Sequence, residues 1–514
     1  MSFQVILISP YSQVEAYGLR SLSACLKRAG FPTRLIFLPD IEEMMVGKNY
    51  GARRLSGSAL DQVIELCAGA GLIGVSTMTT SFHLACALTE AVHRQLEAPV
   101  IWGGVHPTVR PAECLQHADL ICIGEGERAI VELARRMAAG HDHLDVPNLG
   151  YLDKNGRLIL NPLYPLEYDL DNLPFPDYDY EEHYVLHEGE LQPFTQELMY
   201  YYLTDLGSWA RGPVYGVLTT RGCPYHCTYC VNDALINIYP EWCKLRRRTP
   251  ENVIAEIQSA RDKLPGLEAI AIRDDTFLAN PEDYIAHFCQ LYKQSVGLPF
   301  RAYTTAQTAN ERKLHYLSEA GLRLAIMGIQ SGSAHTQKMY NRKVDNEHIL
   351  RAARLINSFQ AYIPRPMYDV ITDNPYESQQ DQYETLRLVH ELPTPYRLSL
   401  FSLTFYPGTE LYHKALADGI IQEDDPDIYV RNFQMVQPTF YNFALFCHGL
   451  NLPRLFLSLL SWRIVFSLGS REPFNRISGW LLYRILALRL RSNDRLYTKR
   501  RQEWLSGQNT ENRA

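Results

Sequence analysis

Three cysteines, Cys223, Cys227 and Cys230, fall within eight residues of each other, while the other eight in the chain are scattered. They follow the short apolar run Val217-Leu218-Thr219-Thr220, which reads as a strand. The loop Arg221-Gly222-Cys223-Pro224-Tyr225-His226-Cys227-Thr228-Tyr229-Cys230 therefore leaves the carboxyl end of a strand with the spacing C-x3-C-x2-C. Three thiolates on one short loop can bind three irons of a 4Fe-4S cubane and leave the fourth iron open to a substrate or cofactor. Zinc normally wants a fourth Cys or His. His226 inside the loop and Cys243 beyond it are the candidates for that rival, a zinc-stabilised binding protein. The spacing and its place after a strand favour the cluster.

The rest of the chain sets the frame. At about 150 residues per domain, 514 residues suggest two to four domains. A composition 46% hydrophobic and 21% charged is that of a folded globular protein and excludes a disordered or fibrous one. A net charge of -7 argues against a uniformly basic nucleic-acid binder. The remaining cysteines sit in apolar contexts and read as small buried hydrophobes, and an odd total of 11 argues against a disulfide framework. Met1-Ser2-Phe3-Gln4 has no charged leader pattern, and no run of about 18 apolar residues predicts a membrane span. Both suggest the reducing cytoplasm.

Residues 1–145 alternate strand and helix patterns. Strands are expected at 3–9, 33–38, 72–76, 99–102 and 120–123, with helices at 17–29, 82–96 and through Met137. That alternation predicts an α/β fold with a doubly wound parallel sheet. Ligands bind such sheets beyond the strands' carboxyl ends. Those ends carry Pro10-Tyr11-Ser12, Ser76-Thr77, Gly103-Gly104-Val105-His106 and Gly124-Glu125-Gly126. Glycines admit close approach of a bulky ligand and hydroxyls supply hydrogen bonds, although each glycine alone is equally well a tight turn. The first strand is not followed by G-x-G-x-x-G, which weakens a dinucleotide reading.

Residues 146–208 read as an ordered linker, proline-rich with aromatic anchors over 170–178. His183, His187 and Glu190 match no metal spacing and suggest a solvated face with packed tyrosines. Residues 209–435 form the next domain. Strands near 217, 270, 301, 326, 369 and 401 count six βα units, a partial TIM-like barrel whose carboxyl face is the catalytic one. One strand ends in Arg273-Asp274-Asp275, and another in Gln330-Ser331-Gly332-Ser333, with Asn341-Arg342 a little beyond. A carboxylate at such an end suits an ammonium, although a single aspartate there is also a helix cap. An arginine suits a carboxylate, although a surface ion pair explains it as cheaply.

Residues 436–514 form a helical C-terminal segment. From Asn451 onward the chain has 12 Lys+Arg against 4 Asp+Glu. Its apolar runs at 455–460, 464–468 and 480–490 are punctuated by Arg454, Arg463, Arg484, Arg489 and Arg491. Basic amphipathic helices suit an anionic membrane surface or a hydrophobic substrate portal. A helical cap with snorkelling arginines fits equally well. Residues after Ser506 read as a tail.

The strand ends of residues 1–140, with Ser76-Thr77, Gly103-Gly104-x-His106 and Gly124-Glu125-Gly126, resemble cobalamin-binding domains. Many of these carry D-x-H-x-x-G after the first strand. Here Pro10-Tyr11-Ser12-Gln13-Val14-Glu15-Ala16 has no His, so either cobalt lacks a His ligand or the domain no longer binds cobalamin. The cysteine loop resembles the radical S-adenosylmethionine (SAM) enzymes. That resemblance implies that Cys223, Cys227 and Cys230 hold the cluster and that Tyr229 packs near adenine. It further implies that Asp274 and Asp275 meet the SAM amino group, with Gln330, Ser331 and Arg342 at its ribose or carboxylate. Gln330 stands where relatives often have Glu. Together the resemblances cover about 400 residues. They imply a 5′-deoxyadenosyl radical enzyme, with cobalamin-dependent methylation of an unactivated carbon as its reaction. The alternatives are ring formation, oxygen insertion or rearrangement on a degenerate cobalamin domain, and, from another class, a non-catalytic corrinoid or metal carrier. The expected partners are a small-molecule substrate, which the aromatic richness and the basic apolar tail favour as hydrophobic, and an electron donor such as a flavodoxin or ferredoxin. No nucleic acid is expected, and peripheral membrane contact through the C-terminal segment is the one lipid interaction foreseen.

Overall fold

Aliphatic runs buried on both faces build the first sheet, as parallel strands covered by helices require. The computed structural model describes residues 3–40, 54–204, 209–210, 212–423, 425–431, 433–486 and 488. The readings made of residues 1–2, of Arg489 and Arg491 and of the tail after Ser506 lie outside them. The chain divides into two units: Met1–Leu203 with Tyr229–Arg246 and Phe405–Arg431, and Thr204–Thr228 with Arg247–Thr404 and Asn432–Ala514.

The first unit holds strands β1 (Val5–Ser9), β2 (Thr33–Phe37), β3 (Leu72–Ser76), β4 (Val100–Gly103) and β5 (Leu120–Cys122). Their order is 5-4-3-1-2, all parallel, so the direction of winding reverses between β1 and β3. That switch point is where a doubly wound sheet opens its ligand crevice. Helices α1 (Tyr17–Arg28), α2 (Gly57–Cys67), α3 (Phe82–Gln95) and α4 (Glu127–Ala138) follow β1, β2, β3 and β5. Residues of the expected linker extend this sheet. β6 (Leu149–Leu152) and β7 (Leu158–Leu160) add antiparallel strands beside β5, and β8 (Tyr184–His187) and β9 (Glu190–Pro193) form a hairpin beside β2.

Linker and sheet are locked by buried polar chemistry that local periodicity does not announce. His183 is buried, not solvated. Leu35 N–H donates to its Nδ1 at 3.2 Å, so Nε2 carries the proton given to Asp177 Oδ2 at 3.0 Å. Ser23 Oγ (2.5 Å) and Lys27 Nζ (2.8 Å) reach the same oxygen. Arg20, fully buried, donates to the Asp177 carbonyl at 2.6 Å and stacks its guanidinium over Tyr178 at 4.0 Å. Burial alone would raise the Asp177 carboxyl. The hydrogen bond from His183, with those from Lys27 and Ser23, outweighs it and holds the group far below the usual carboxylate range. A depressed carboxylate stabilises above its unfolded pKa of about 3.9 and loses that contribution as pH falls toward the folded value. Asp177→Asn is therefore expected to cost about 3 kcal/mol at pH 7. The gap to wild type should narrow steadily below about pH 4. Urea unfolding at several pH values checks this, and a gap independent of pH would assign the loss to packing.

The second unit holds six strands: β10 (Val214–Val217), β11 (Ala269–Ile272), β12 (Phe300–Thr304), β13 (Leu322–Gln330), β14 (Met367–Thr372) and β15 (Arg397–Ser402). They are parallel and lie in chain order, with β10 and β15 unpaired with each other: the open six-stranded barrel sheet expected. The helices between them start on caps legible in the sequence. Thr249 caps α5 (Pro250–Lys263) with Pro at its first position, and Ser378 with Asp381 forms a capping box on α9 (Gln379–Glu391). α6 (Glu282–Ser295), α7 (Glu311–Ala320) and α8 (Asn346–Ser358) complete the layer. Beneath β12 the rings of Phe277, Phe288, Tyr292 and Phe300 pack edge to face or tilted, at 4.9 to 5.4 Å in sequence. Helix α10 (Phe440–Gly449) packs on β15 and α9.

Candidate active site

In the second unit, the carboxyl ends of the strands gather the polar residues. Asp274, at the end of β11, is buried and accepts from Thr219 N at 2.6 Å, Thr220 N at 3.2 Å and the Thr219 hydroxyl. Burial raises its carboxyl to about 6 and these hydrogen bonds limit the rise. Asp274 thus ties the end of β11 to the chain entering the cysteine loop, while Asp275 next to it is exposed. Arg248 supports the same strand end: its N–H donates to Thr219 O at 3.0 Å and its guanidinium to Leu218 O at 3.1 Å and Glu256 at 2.5 Å.

The first part of the cysteine loop is anchored on neighbouring strand ends. Tyr225 and Thr305 hydroxyls lie 3.2 Å apart beyond β12. Thr228 Oγ1 donates to Met339 O at 2.8 Å, and Asn341 Nδ2 donates to His226 O at 2.8 Å. These anchors hold the main chain on both sides of Cys227. Cys223 is buried, Cys227 and Cys230 are half-buried, and none of the three is in a disulfide. Among the described residues no three Cys, His, Asp or Glu side chains already form a metal cage. What fits a cubane here is the donor set: three thiols, none of them in a disulfide, on one loop.

At the end of β13, Gln330 has φ +68° between the Ile329 carbonyl and Ser331 N–H, which bond at 2.9 Å in a γ-turn. A side-chain residue held there is strained, a condition that gathers at functional sites. Gln330 Oε1 is buried and has no hydrogen-bond partner among the described residues. Arg342 Nη2 donates to Gly328 O at 2.8 Å, and a Cβ at Gly328 would come within 2.6 Å of Gln330 Nε2. The glycine thus leaves room for both side chains. A groove of about 560 Å³ lined by Gln337, Asn341, Arg342 and Asp345 opens beside them. Ser331 turns the other way, to Thr385 at 3.0 Å and Glu377 at 3.2 Å, and Gly332 is small because Glu384 O and the Thr385 Cα crowd it at 2.8 Å. Half-buried Glu377 is pushed up to about 7 by desolvation, which the hydroxyls of Thr336 and Ser331 limit.

In the first unit, the switch point between β1 and β3 carries Tyr11, whose hydroxyl lies 2.6 Å from Ser76 Oγ. Burial pushes that phenol up to about 12 against the Ser76 hydrogen bond. Thr77 is buried, with Oγ1 unpartnered among the described residues. Gly104 has φ +102°, and a Cβ there would sit 2.8 Å from Thr77 O, so only glycine lets the two strand ends approach this closely. His106 is buried, with its main-chain N–H donating to Thr77 O at 3.1 Å, Nδ1 3.1 Å from Thr79 Oγ1 and Nε2 3.5 Å from Glu113. Burial raises the Glu113 carboxyl, but hydrogen bonds from His106, Tyr429 and Arg110 take it down to about 2.

The loop after β5 meets the segment that follows Cys230. Arg246 grips Glu125 with two parallel hydrogen bonds of 2.8 and 2.9 Å and donates to Glu167 O at 2.8 Å. A Cβ on Gly124 would lie 2.3 Å from the Tyr239 hydroxyl, which accepts from Asn148 Nδ2 at 3.2 Å. Gly124 and Glu125 are therefore spent on receiving residues 239–246. Tyr225, Thr228, Thr305, Asn341 and Arg246 were not singled out from sequence. Each acts through a contact at least 80 residues away in the chain, except for the turn-forming neighbours, and no local pattern marks it.

A crevice at the switch point of a doubly wound sheet, and a three-thiol loop at the carboxyl ends of a parallel six-stranded sheet, define a two-part cofactor enzyme. Comparison with known proteins gives the family. Residues 217–389 match the radical SAM superfamily and residues 3–134 match the B12 binding domain. The chain belongs to the radical SAM enzymes that carry a B12-binding domain. It is 24% identical over 355 residues to an uncharacterized methyltransferase of Pyrococcus horikoshii, covering 68% of this chain and 70% of the relative. Two solved structures share the fold. The cobalamin-dependent SAM radical enzyme OxsB, with aqua-cobalamin and SAM bound, has a TM-score of 0.66 at 14% identity and covers 100% of this chain and 81% of its own. The radical SAM methyltransferase TsrM of Kitasatospora setae, with tryptophan and a SAM analogue bound, has a TM-score of 0.60 at 18% identity and covers 81% and 76%.

Proposed function

We propose that this enzyme transfers a methyl group to a carbon of a small molecule, using a 4Fe-4S cluster, SAM and cobalamin. The observation that carries the reading is the C-x3-C-x2-C loop, its first part anchored by Tyr225, Thr228 and the His226 carbonyl, in a chain that also holds a doubly wound sheet with a switch point between β1 and β3. The methyltransferase relatives, one of them with tryptophan as substrate, support methyl transfer to a small molecule. When bound, the cluster with SAM supplies a 5′-deoxyadenosyl radical and the corrinoid supplies the methyl group. A radical suits a carbon whose C–H bond is too weakly acidic for any side-chain base.

This chain's residues bind and orient. Cys223, Cys227 and Cys230 would ligate three irons. Asp275, exposed at the end of β11, would take the SAM ammonium, with buried Asp274 holding the strand end in position. Gln330 would offer its unpartnered Oε1 to a ribose hydroxyl, and Arg342 would pair with the SAM carboxylate. Ser76, Thr77, Gly103, Gly104 and His106 would line the corrinoid site. A small electron-carrier protein such as a flavodoxin or ferredoxin would reduce the cluster.

The test is anaerobic. Iron and sulfide are reconstituted, hydroxocobalamin, SAM and dithionite are added, and bound corrinoid and 5′-deoxyadenosine are measured. Both are expected. 5′-Deoxyadenosine without retained corrinoid would make the first unit a scaffold and end the methyl-transfer reading. Corrinoid without SAM cleavage would make the chain a carrier.

A further inference from the structure

The last helices of the described chain are apolar on two faces. These are α11 (Arg454–Leu460), α12 (Arg463–Gly469) and a third over 474–486. One face packs inward: Leu457, Leu460, Phe466 and Leu482 are buried, and the Phe466 ring lies 5.4 Å from Tyr383 and 6.0 Å from Phe440. Gly469 fits against the Phe440 ring, where a Cβ would come within 2.5 Å, and Gly479 fits against the Pro438 carbonyl. The opposite face is exposed, with Leu455 87%, Trp462 57% and Trp480 56% accessible, beside Leu459, Ile464 and Phe474. Of 21 large apolar side chains exposed among the described residues, 12 fall between Leu455 and Leu488. Apolar surface this concentrated marks an interaction site.

Charge selects the occupant. Residues 454–488 carry five arginines, at 454, 463, 471, 476 and 484, and a single acid, Glu472. Arg484 lies over the exposed Trp480 ring at 5.2 Å and Arg463 over Tyr383 at 5.9 Å, so the cations border the apolar face. A second copy would set arginines against arginines, a like-charge juxtaposition that costs several kcal/mol. Short helices with Trp and Leu on one side and a rim of arginine are built to lie in a headgroup layer. Among the described residues no helix is long and apolar enough to cross a membrane. We propose that this face docks the enzyme on the surface of an anionic lipid bilayer. The inference stands apart from the cofactor chemistry.

The test uses the full-length protein and vesicles of phosphatidylcholine with about one-third phosphatidylglycerol, against phosphatidylcholine alone. Co-sedimentation with the anionic vesicles is expected, with a blue shift of tryptophan fluorescence and loss of binding in high salt. Each surface arginine contributes about 1 kcal/mol, so Arg476→Gln with Arg484→Gln should weaken partitioning about 30-fold. Trp462→Asp with Trp480→Asp should abolish it. These side chains point outward, so the inner packing on Phe440 survives, as unchanged thermal unfolding would verify. Deleting the segment would strip that packing and is not a clean test. No binding, equal binding to both vesicle types, or binding indifferent to these substitutions overturns the proposal. So does a self-associated protein that the tryptophan substitutions render monomeric, which would put a second copy on this face.

Discussion

Cys227→Ala is expected to abolish both the iron–sulfur absorption and the formation of 5′-deoxyadenosine, while leaving the fold intact. A cubane held by three thiolates has one open iron, and removing a second protein ligand leaves it too weakly held to assemble. The loop itself does not depend on the thiol for its path. The His226 carbonyl, the Thr228 hydroxyl and the Tyr225 hydroxyl anchor it, with Asn341 and Met339 on one side and Thr305 on the other. Alanine at 227 therefore removes a ligand without freeing the backbone. The control is Cys243→Ala. Its thiol donates to Pro240 O at 3.1 Å and is not needed for a three-thiolate cluster, so iron, labile sulfide and SAM cleavage should be unchanged. A zinc site completed by Cys243 would give the reverse: one zinc, no labile sulfide, and metal loss in both variants. Retention of iron and 5′-deoxyadenosine in Cys227→Ala would sink the assignment of the loop.

Glu125→Ala should cost about 3–5 kcal/mol of stability in protein free of corrinoid, because it strands a buried guanidinium. The Arg246 side chain is 1% exposed and Glu125 15%, and the two form a bidentate pair. The guanidinium also donates to the Glu167 carbonyl and lies 5.2 Å from the Trp242 ring, and neither neutralises its charge. Glu125→Gln keeps one acceptor and should lose roughly half as much. Chemical unfolding with and without hydroxocobalamin separates the roles. If Glu125 served only the corrinoid, the cofactor-free protein would be as stable as wild type, and the whole effect would appear on adding the ligand. A loss that is full without the ligand places Glu125 in the joint between the loop after β5 and the chain following Cys230.

What periodicity could announce, it announced closely. β3 falls on the residues expected, 72–76, and β11 (Ala269–Ile272) on the strand expected near 270. These are long apolar repeats or buried runs with clear breakers, where local patterning and tertiary burial agree. The edge strands escaped because their faces are mostly exposed: Leu158–Leu160 and Glu190–Pro193 show no apolar period to read. Helix α2 was missed although Ser56 caps it, because no cue pointed to a helix between the second and third strands.

The site divides in the same way. The sequence alone determined the chemistry: three thiols at C-x3-C-x2-C, glycines and hydroxyls at strand ends, carboxylates after β11, a basic apolar tail. Those are properties of residue type and spacing along the chain. Only the tertiary structure decided which of them remain available to a ligand. Asp274 is consumed by Thr219 and Thr220, Glu125 by Arg246, Ser331 by Thr385 and Glu377, and His106 by Thr79 and Glu113. Gln330 keeps a buried oxygen unpartnered among the described residues, and Asp275 stays exposed. Buried polar groups take whatever partner the fold brings within about 3 Å, and for Glu125 that partner lies 121 residues away, beyond the reach of any local pattern.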